Sequence, residues 1–412
     1  YLRKDTIWAG TDDGLVWITR DGGKHWQNVT PRGLTPWSKV AQIDASHFDD
    51  DTAYIAVNRF RLDDLRPHIY RTHDRGRHWQ GISNGLPGDA SVNTVREDPV
   101  RKGLLFAGTE RTVYASFDDG AHWQSLQLNL PSTSIRDLVV HGNDLVIGTH
   151  GRSFWILDDL TPLRQLKELT QTQTQLFVPQ TAFRIRRDTY SDTPLPPEEP
   201  VGQNPPNGAI FDYSLAATTS GTVTLAIYDR SGKLVRRFSS VDRLKSIDQK
   251  DINVPIYWAR EPVTLANTPG PHRFVWDLHG PTPHSLFADF PISAIVHETP
   301  LEPLGVLVTP GRYTVRLTVG GQMRSAPLVI EMDPRVHISQ AGLRAQFDLA
   351  GRIADGMNRT FNALQKHKSP SLARLNGALT GLYAEVEGAD APPTLQQHEQ
   401  YERLERALQK AP

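Results

Sequence analysis

The sequence predicts a mainly β protein in three parts: about four blades of a β-propeller, then a β-sandwich, then a helical segment. Three observations lead to this prediction. A short motif that ends in tryptophan occurs three times before residue 130, apolar and polar residues alternate over residues 208–334, and apolar residues recur at spacings of three and four after residue 335. A chain of 412 residues has room for these parts.

The recurring motif is Ser/Thr-x-Asp-x-Gly-x-x-Trp, and strand-like runs precede each copy. Each unit is therefore predicted to hold four strands, which is typical of a propeller blade. A fourth unit, at residues 144–157, keeps the strands and lacks the motif. The hydroxyl and carboxylate are expected to accept local backbone N–H groups, and the tryptophan to hold the turn against the blade. The residues given this structural role are Thr19, Asp21, Gly23, Trp26, Thr72, Asp74, Gly76, Trp79, Ser116, Asp118, Gly120 and Trp123.

This motif is the Asp-box, or BNR repeat, and the first part of the chain resembles sortilin-like and sialidase-like propellers. Residues 61–72 and 148–159 also resemble the large bacterial sortilin-like proteins that are often labelled glycosyl hydrolases. The resemblance implies the C-terminal part of a secreted or periplasmic protein. The remaining blades are then expected from the same precursor or from another chain. Because such repeats occur in enzymes and non-enzymes alike, the resemblance alone does not imply hydrolysis.

Four regions are predicted along the chain: C-terminal propeller blades at 1–165, a Pro-rich linker at 166–207, a sandwich of fibronectin or immunoglobulin type at 208–334, and helices at 335–412. Proline removes backbone donors and favours an extended path, which favours a linker, and apolar anchors at 176–178 and 183–185 are expected to lie along the propeller. Ser339 is the expected N-cap of the first helix, and two further helices are predicted near 371–386 and 394–407.

The turns of an antiparallel meander alternate between two ends, so the loops opposite the Asp-boxes are expected to meet at one rim. Loops at a propeller rim are the usual place for a ligand. The basic residues of these loops are the candidate ligand-binding groups: Arg59, Arg61, His68, Arg111, His150 and Arg152.

Glycoside cleavage normally needs two carboxyl groups about 5–5.5 Å or about 6.5–9.5 Å apart, one of them protonated. The rim offers Asp13, Asp63, Asp64 and Glu110. The alternative is that these groups form ion pairs that order the loops. Three functions therefore stay open: a protein that binds a peptide or carbohydrate at the rim and docks through its sandwich and helices, a glycoside hydrolase of sialidase-like architecture, and a non-catalytic scaffold subunit.

Several classes of site are disfavoured by the sequence. It has no cysteine, no His-Glu-x-x-His spacing, no Gly-rich phosphate loop and no Gly-x-Ser-x-Gly motif, so no cofactor and no metal are expected. Calcium is kept as an alternative because Asp63-Asp64 and Asp158-Asp159 are paired carboxylates. A net charge of -1 argues against nucleic acid as a partner, and no apolar run is long enough for a membrane span.

Overall fold

A computed structural model describes residues 2–166, 173–186, 202, 205–217, 221–244, 246–252, 254–291 and 297–410. The chain divides into two compact units, Tyr1–Leu169 and Thr170–Pro412. The first consists almost entirely of short antiparallel strands, and the second contains two sheets and three long helices. The mainly β fold class is confirmed.

The first unit contains four consecutive antiparallel sheets, which we call blades 1 to 4. Blades 2 and 3 have four strands each. Blade 1 lacks a counterpart of their first strand and blade 4 a counterpart of their last, within the described residues. The strands are β1 Ile7–Gly10, β2 Val16–Thr19 and β3 Trp26–Asn28; β4 Lys39–Ala45, β5 Ala53–Asn58, β6 His68–Thr72 and β7 Gln80–Gly81; β8 Val92–Glu97, β9 Leu105–Thr109, β10 Val113–Ser116 and β11 Gln124–Ser125; and β12 Ile135–His141, β13 Asp144–Thr149 and β14 Phe154–Leu157. The short helix α1, Thr161–Gln165, follows.

The cores of this unit lie between successive blades. Every residue of β5 and of β9 is buried, because these strands are covered on both faces by neighbouring blades. One cluster joins Ile18 of blade 1 to Ile55 of blade 2, and the next joins Ile69 of blade 2 to Val95 of blade 3. A blade cannot bury both of its faces alone, so each depends on its neighbours.

Each Asp-box turn is closed by the same set of hydrogen bonds. In the first box Thr19 Oγ1 donates to Asp21 Oδ1 at 2.9 Å, and the backbone N–H groups of Gly23 and His25 donate to Thr19 Oγ1 and Asp21 Oδ1. The second and third boxes repeat these bonds. The residue before the box glycine also has a positive φ in all three copies, so the turn uses two successive left-handed residues.

The box tryptophans connect blades instead of holding the turn only to its own blade. Trp79 Nε1 donates to Val29 O and Trp123 Nε1 donates to Ile82 O, both at 2.6 Å. Each acceptor is the residue that follows the outer strand of the preceding blade. We call this contact the inter-blade staple. It explains why Trp123 is only 4% exposed although it opens an edge strand.

The second unit has two sheets that share one core. The three-stranded sheet has the order β15-β17-β20 and the five-stranded sheet the order β16-β22-β21-β18-β19. Phe211 and Trp276 from the first sheet pack with Leu225 and Val315 from the second, which is the packing of a β-sandwich. The strands are β15 Gln175–Leu176, β16 Ala182–Arg184, β17 Ala209–Leu215, β18 Val223–Tyr228, β19 Leu234–Ser239, β20 Gly270–Trp276, β21 Gly311–Val319 and β22 Gln322–Met332.

The sandwich begins earlier than the sequence boundary at 208. Part of the region predicted as a linker, 166–207, forms β15 and β16, which pair with β17 and with β22. Its apolar anchor Leu176 is buried in the sandwich core because Gln175 and Leu176 add to the edge of the three-stranded sheet. The proline-rich run at 194–200 lies outside the described residues.

Three helices follow the sandwich: α2 Gln340–Lys366, α3 Pro370–Glu387 and α4 Leu395–Gln409. Ser339 caps α2 as predicted, because its side chain accepts the N–H of Gly342 at 3.0 Å. The helices join the sandwich through Tyr383, whose hydroxyl donates to Leu304 O at 3.0 Å, and through a buried ion pair of Arg184 with Asp390. None of the helices among the described residues combines the length and apolar character that a membrane span requires.

We expect Trp123→Ala to destabilise the first unit by about 3–5 kcal/mol, because it removes a buried aromatic ring. Trp123→Phe keeps most of the ring and loses the hydrogen bond, so its expected cost is about 1–2 kcal/mol. Urea unfolding followed by tryptophan fluorescence measures this, since seven of the nine tryptophans precede residue 166. Trp37→Ala is the control: Trp37 is 66% exposed, and a cost equal to that of Trp123→Ala would contradict the staple.

The box carboxylates are expected to make the first unit sensitive to acid. The backbone N–H and the ring of His78 lower the pKa of Asp74 from 3.8 to about 2. Because this folded-state pKa is depressed, the stabilisation is present above about pH 4 and is lost as the pH falls toward the folded-state value. Thermal unfolding midpoints between pH 5 and pH 2 should fall, and Asp74→Asn should make the fall shallower. An unchanged slope in the variant would refute this origin.

Candidate functional site

The loops at the end of the blades opposite the Asp-boxes form the candidate site, which we call the rim. The rim contains the turns between the second and third strands of blades 2 and 3 and the equivalent turns of blades 1 and 4. It also contains the links that join one blade to the next. The longest of these turns joins β5 to β6 and contains a one-turn 3-10 helix, Phe60–Leu62. Asp63 ends this helix with φ of 59°.

Asp64 organises the β5–β6 loop. Its carboxylate lies 3.1 Å from Arg59 Nη1, 2.9 Å from Arg66 Nε and 3.0 Å from His68 Nε2. It also accepts the backbone N–H of Arg66 at 3.1 Å. The side chains of Asp64, Arg59 and His68 are 10%, 17% and 15% exposed, so their contacts are shielded from water, whereas that of Arg66 is 69% exposed. Asp64 therefore forms ion pairs that order its loop, which was the alternative to a catalytic role.

The electrostatics of this cluster limit what Asp64 can do. Hydrogen bonds from Arg66 hold its pKa well below the usual range of a carboxyl group. Burial lowers the pKa of His68, so a neutral ring donates to Asp64 near neutral pH. An acid that is ionised at all ordinary pH values cannot protonate a leaving group. Only the roles of nucleophile, base or structural anion remain for Asp64.

The loops of blades 1 and 2 meet beside this cluster. Arg59 Nη2 donates to Thr35 Oγ1 at 3.1 Å, which attaches the β5–β6 loop to the link between the two blades. Two residues later in that link, Trp37 N donates to Asp13 O at 2.8 Å. The Asp13 carboxylate accepts a hydrogen bond from Thr11. The backbone of the link thus joins the turn of blade 1 to the loop of blade 2.

Two aromatic side chains lie exposed in these joined loops. Trp37 is 66% exposed and has φ of 68°, and Phe60 is 51% exposed with the Arg61 guanidinium 5.6 Å from its ring centre. A bulky residue in the left-handed region is uncommon and is costly to maintain. Neither side chain is among the candidate residues expected from the sequence. An aromatic residue in an inter-blade link was the signal that would have found Trp37.

The rim groups of blade 3 are connected to the β5–β6 loop through Asn93, whose Oδ1 accepts from Asn58 Nδ2 at 2.7 Å, while Asn58 Oδ1 accepts the backbone N–H of Phe60. Glu110 Oε1 accepts from Asn93 Nδ2 at 3.0 Å and lies 3.2 Å from Arg136 Nη1. Arg111 forms an ion pair with Asp89 at 2.5 Å.

The rim groups of blade 4 are more open. His150 and Arg152 are exposed, and their backbone N–H groups donate to Ser134 O and Thr149 Oγ1. Their ligand-binding role, like the catalytic role of Asp13, Asp63 and Glu110, stays a prediction.

An open groove lies on the flank of blade 2 beside the rim. It has a volume of about 360 Å³ and is lined by Arg66, His68, Tyr70, Ser83 and Asn84, among others. Burial raises the pKa of Tyr70, so its phenol is neutral and is available as a hydrogen-bond donor. The groove is therefore bordered by polar donors and one aromatic ring.

The calcium alternative finds no support in the described residues. Within them, no group of three or more His, Asp or Glu side chains is arranged to hold a metal. Asp64 is surrounded by cationic and donor side chains, and Asp159 Oδ1 accepts from the N–H and hydroxyl of Thr161. The contacts of Asp64 occupy oxygens that calcium would need, whereas Asp159 Oδ2 is buried without a hydrogen-bond partner in the described part of the chain.

Comparison with known proteins gives one partial relationship. No family model matches the chain. Over 110 residues, 26% of this chain and 14% of the relative, the sequence is 26% identical to an oligoxyloglucan-reducing end-specific xyloglucanase of Emericella nidulans. The chain thus matches only about a seventh of that relative's length.

Solved structures superpose weakly. The GH74 xyloglucanase from Xanthomonas campestris gives a TM-score of 0.31 at 18% identity, over 43% of this chain and 30% of that one. YCF48 bound to D1 peptide gives 0.31 at 18% identity, over 38% and 50%. The sequence match supports a likeness to a glycoside hydrolase, and the narrower resemblance to sortilins or sialidases receives no support from it.

Because Asp64 anchors the β5–β6 loop, we expect Asp64→Asn to loosen it without unfolding the first unit. Trypsin should then cut faster after Arg59 or Arg61, while the fluorescence of the folded state stays unchanged. Asp63→Asn is the matched control, since Asp63 is an exposed neighbour in the same loop. Equal cleavage rates in the two variants would show that the loop does not depend on Asp64.

Proposed function

We propose that the rim of blades 1 and 2 binds a carbohydrate chain. The observation that carries this proposal is the exposure of Trp37 and Phe60 in loops that hydrogen bonds join to each other. Flat aromatic faces exposed beside polar groups suit ligands with apolar faces and hydroxyl rims. Arg61 is the charged group proposed to orient the ligand there, and the exposed side chains of His150 and Arg152 in blade 4 are proposed to contact it farther along the rim. The similarity to a xyloglucanase is consistent with a glycan ligand.

The ion pairs of the rim favour binding over cleavage. Asp64 is held by cationic and donor side chains that keep its pKa low, so it does not resemble the protonated acid that glycoside cleavage needs. Glu110 is paired with Arg136 and Asn93. Under this proposal the sandwich and helices serve as the module that docks to the rest of the protein or to a partner. A polysaccharide ligand also fits an exported location, because such polymers do not cross a membrane.

Glycoside hydrolysis is the second candidate function, and the xyloglucanase similarity is the observation that favours it. The ionised Asp64 would serve as nucleophile or base, and the acid would come from Asp13, Asp63 or Glu110. Release of new reducing ends from xyloglucan, abolished by Asp64→Asn, would replace the binding proposal by this one.

The binding proposal is tested by calorimetry with xyloglucan oligosaccharides, with maltohexaose as the comparison glycan. We expect Trp37→Ala to weaken binding by about tenfold or more, as loss of a central aromatic contact does. Trp26→Ala is the matched control, because Trp26 is 43% exposed but belongs to an Asp-box at the opposite end of blade 1. Unchanged binding in Trp37→Ala, or binding only to peptides, would overturn the proposal.

A further inference from the structure

The inter-blade staple has a defined receptor in each of two boxes. Beside the Trp79 indole, a Cβ added at Gly76 would lie 2.7 Å from Val29 Cβ. Beside the Trp123 indole, a Cβ added at Gly120 would lie 2.4 Å from Ile82 Cδ1. Box glycine and box tryptophan thus form a seat for one β-branched residue. That residue also supplies the carbonyl that accepts the indole N–H.

The first box has the same seat, but nothing in the described chain occupies it. Its turn is closed by the same hydrogen bonds as the other two boxes, so the seat is already formed. The atoms nearest to a Cβ added at Gly23 belong to the Trp26 ring itself, at 3.9 Å. Trp26 is 43% exposed, whereas Trp123 is 4% exposed, and every residue of β3 is exposed.

We propose that this seat binds a further four-stranded blade whose outer strand is followed by Val or Ile. The carbonyl of that residue accepts a hydrogen bond from Trp26 Nε1, and its side chain packs on Gly23. The proposal concerns assembly and does not depend on what the rim binds. Further blades are expected from the sequence, and the proposal states which residue the blade next to blade 1 must carry in order to bind.

A second copy of this chain does not fit the seat as well. The blade with an open outward face at the other end is blade 4, and its described strands β12 to β14 include no outer fourth strand. It therefore has no equivalent of Val29 or Ile82 to present. The chain that links such a blade to blade 1 would also fill a second vacancy. Blade 1 lacks a counterpart of β4 and β8 among the described strands, so β1 pairs only with β2 there, and Ile7 at its start is 43% exposed.

The chain contains the parts for a direct test. Residues 35–102 comprise blade 2, the following link and β8. The residue after this segment, Gly103, is the structural equivalent of Asp5, because Asp119 N donates to Gly103 O as Gly22 N donates to Asp5 O. We would fuse residues 35–102 ahead of Asp5. The copied Ile82 then precedes the Trp26 seat, and the copied β8 lies beside β1.

Oxidative footprinting of the Trp26 peptide is the measurement. The extension should slow oxidation of Trp26 by about tenfold, the ratio of the 43% and 4% exposures of Trp26 and Trp123. Ile82→Ala in the copied segment should restore much of the oxidation rate of Trp26. The extension should also raise the midpoint of urea unfolding, and Trp26→Phe should reduce that rise. Unchanged oxidation in a folded extended chain would overturn the proposal.

Two measurements on the 412-residue chain itself test the proposal even if the extended chain does not fold. Trp26 should be oxidised about tenfold faster than Trp123, in line with their exposures of 43% and 4%. Equal protection at high dilution would mean that the seat is already covered within the chain. A concentration-dependent dimer that Trp26→Phe abolishes would make a second copy the occupant. Either result would overturn the proposal.

Discussion

The hydrogen bond from a box tryptophan to the carbonyl of the preceding blade is the interaction on which the first unit depends. A second set of bonds acts at the inner strands, where Gln42 accepts the N–H of Val95 and Arg96 donates to Leu138 O. Inner and outer contacts together fix the rotation of each blade relative to the next. Since the rim loops connect the ends of these same strands, the contacts between blades also determine how far apart the loops lie.

The repeat and its fold could be predicted because their causes are local. The Asp-box bonds join residues two to four positions apart, so a short motif is enough to specify the turn. Strand alternation and helical spacing are equally local, which is why the mainly β fold class and the N-cap at Ser339 agree with the sequence. The direction of the Trp123 bond was not predictable in this way, since Ile82 lies 41 positions away.

Contacts between residues far apart in the chain are also the reason why two strands and the rim pairings were not expected from the sequence. Strands β15 and β16 have two and three residues, and their partners lie far along the chain, at Ser214 and Ile330 for example. At the rim, sequence supplied the charged residues but not their pairing. Only the structure shows that Asp64 is already committed to Arg59, Arg66 and His68 and that Trp37 is exposed. Charge in a loop is therefore weaker evidence for chemistry than an exposed aromatic ring whose backbone is held by its neighbours.

The ion pair between Arg184 and Asp390 has a consequence for synthesis of the chain. The two residues are 206 positions apart, and β16 also needs β22 as its parallel partner. A ribosome therefore releases the early strands of the sandwich long before their partners exist, whereas each blade can close on the one made just before it. Blades are expected to form progressively during translation, and the second unit only near termination. During that interval the apolar faces of β17 and β18 are the surfaces that a chaperone would have to protect.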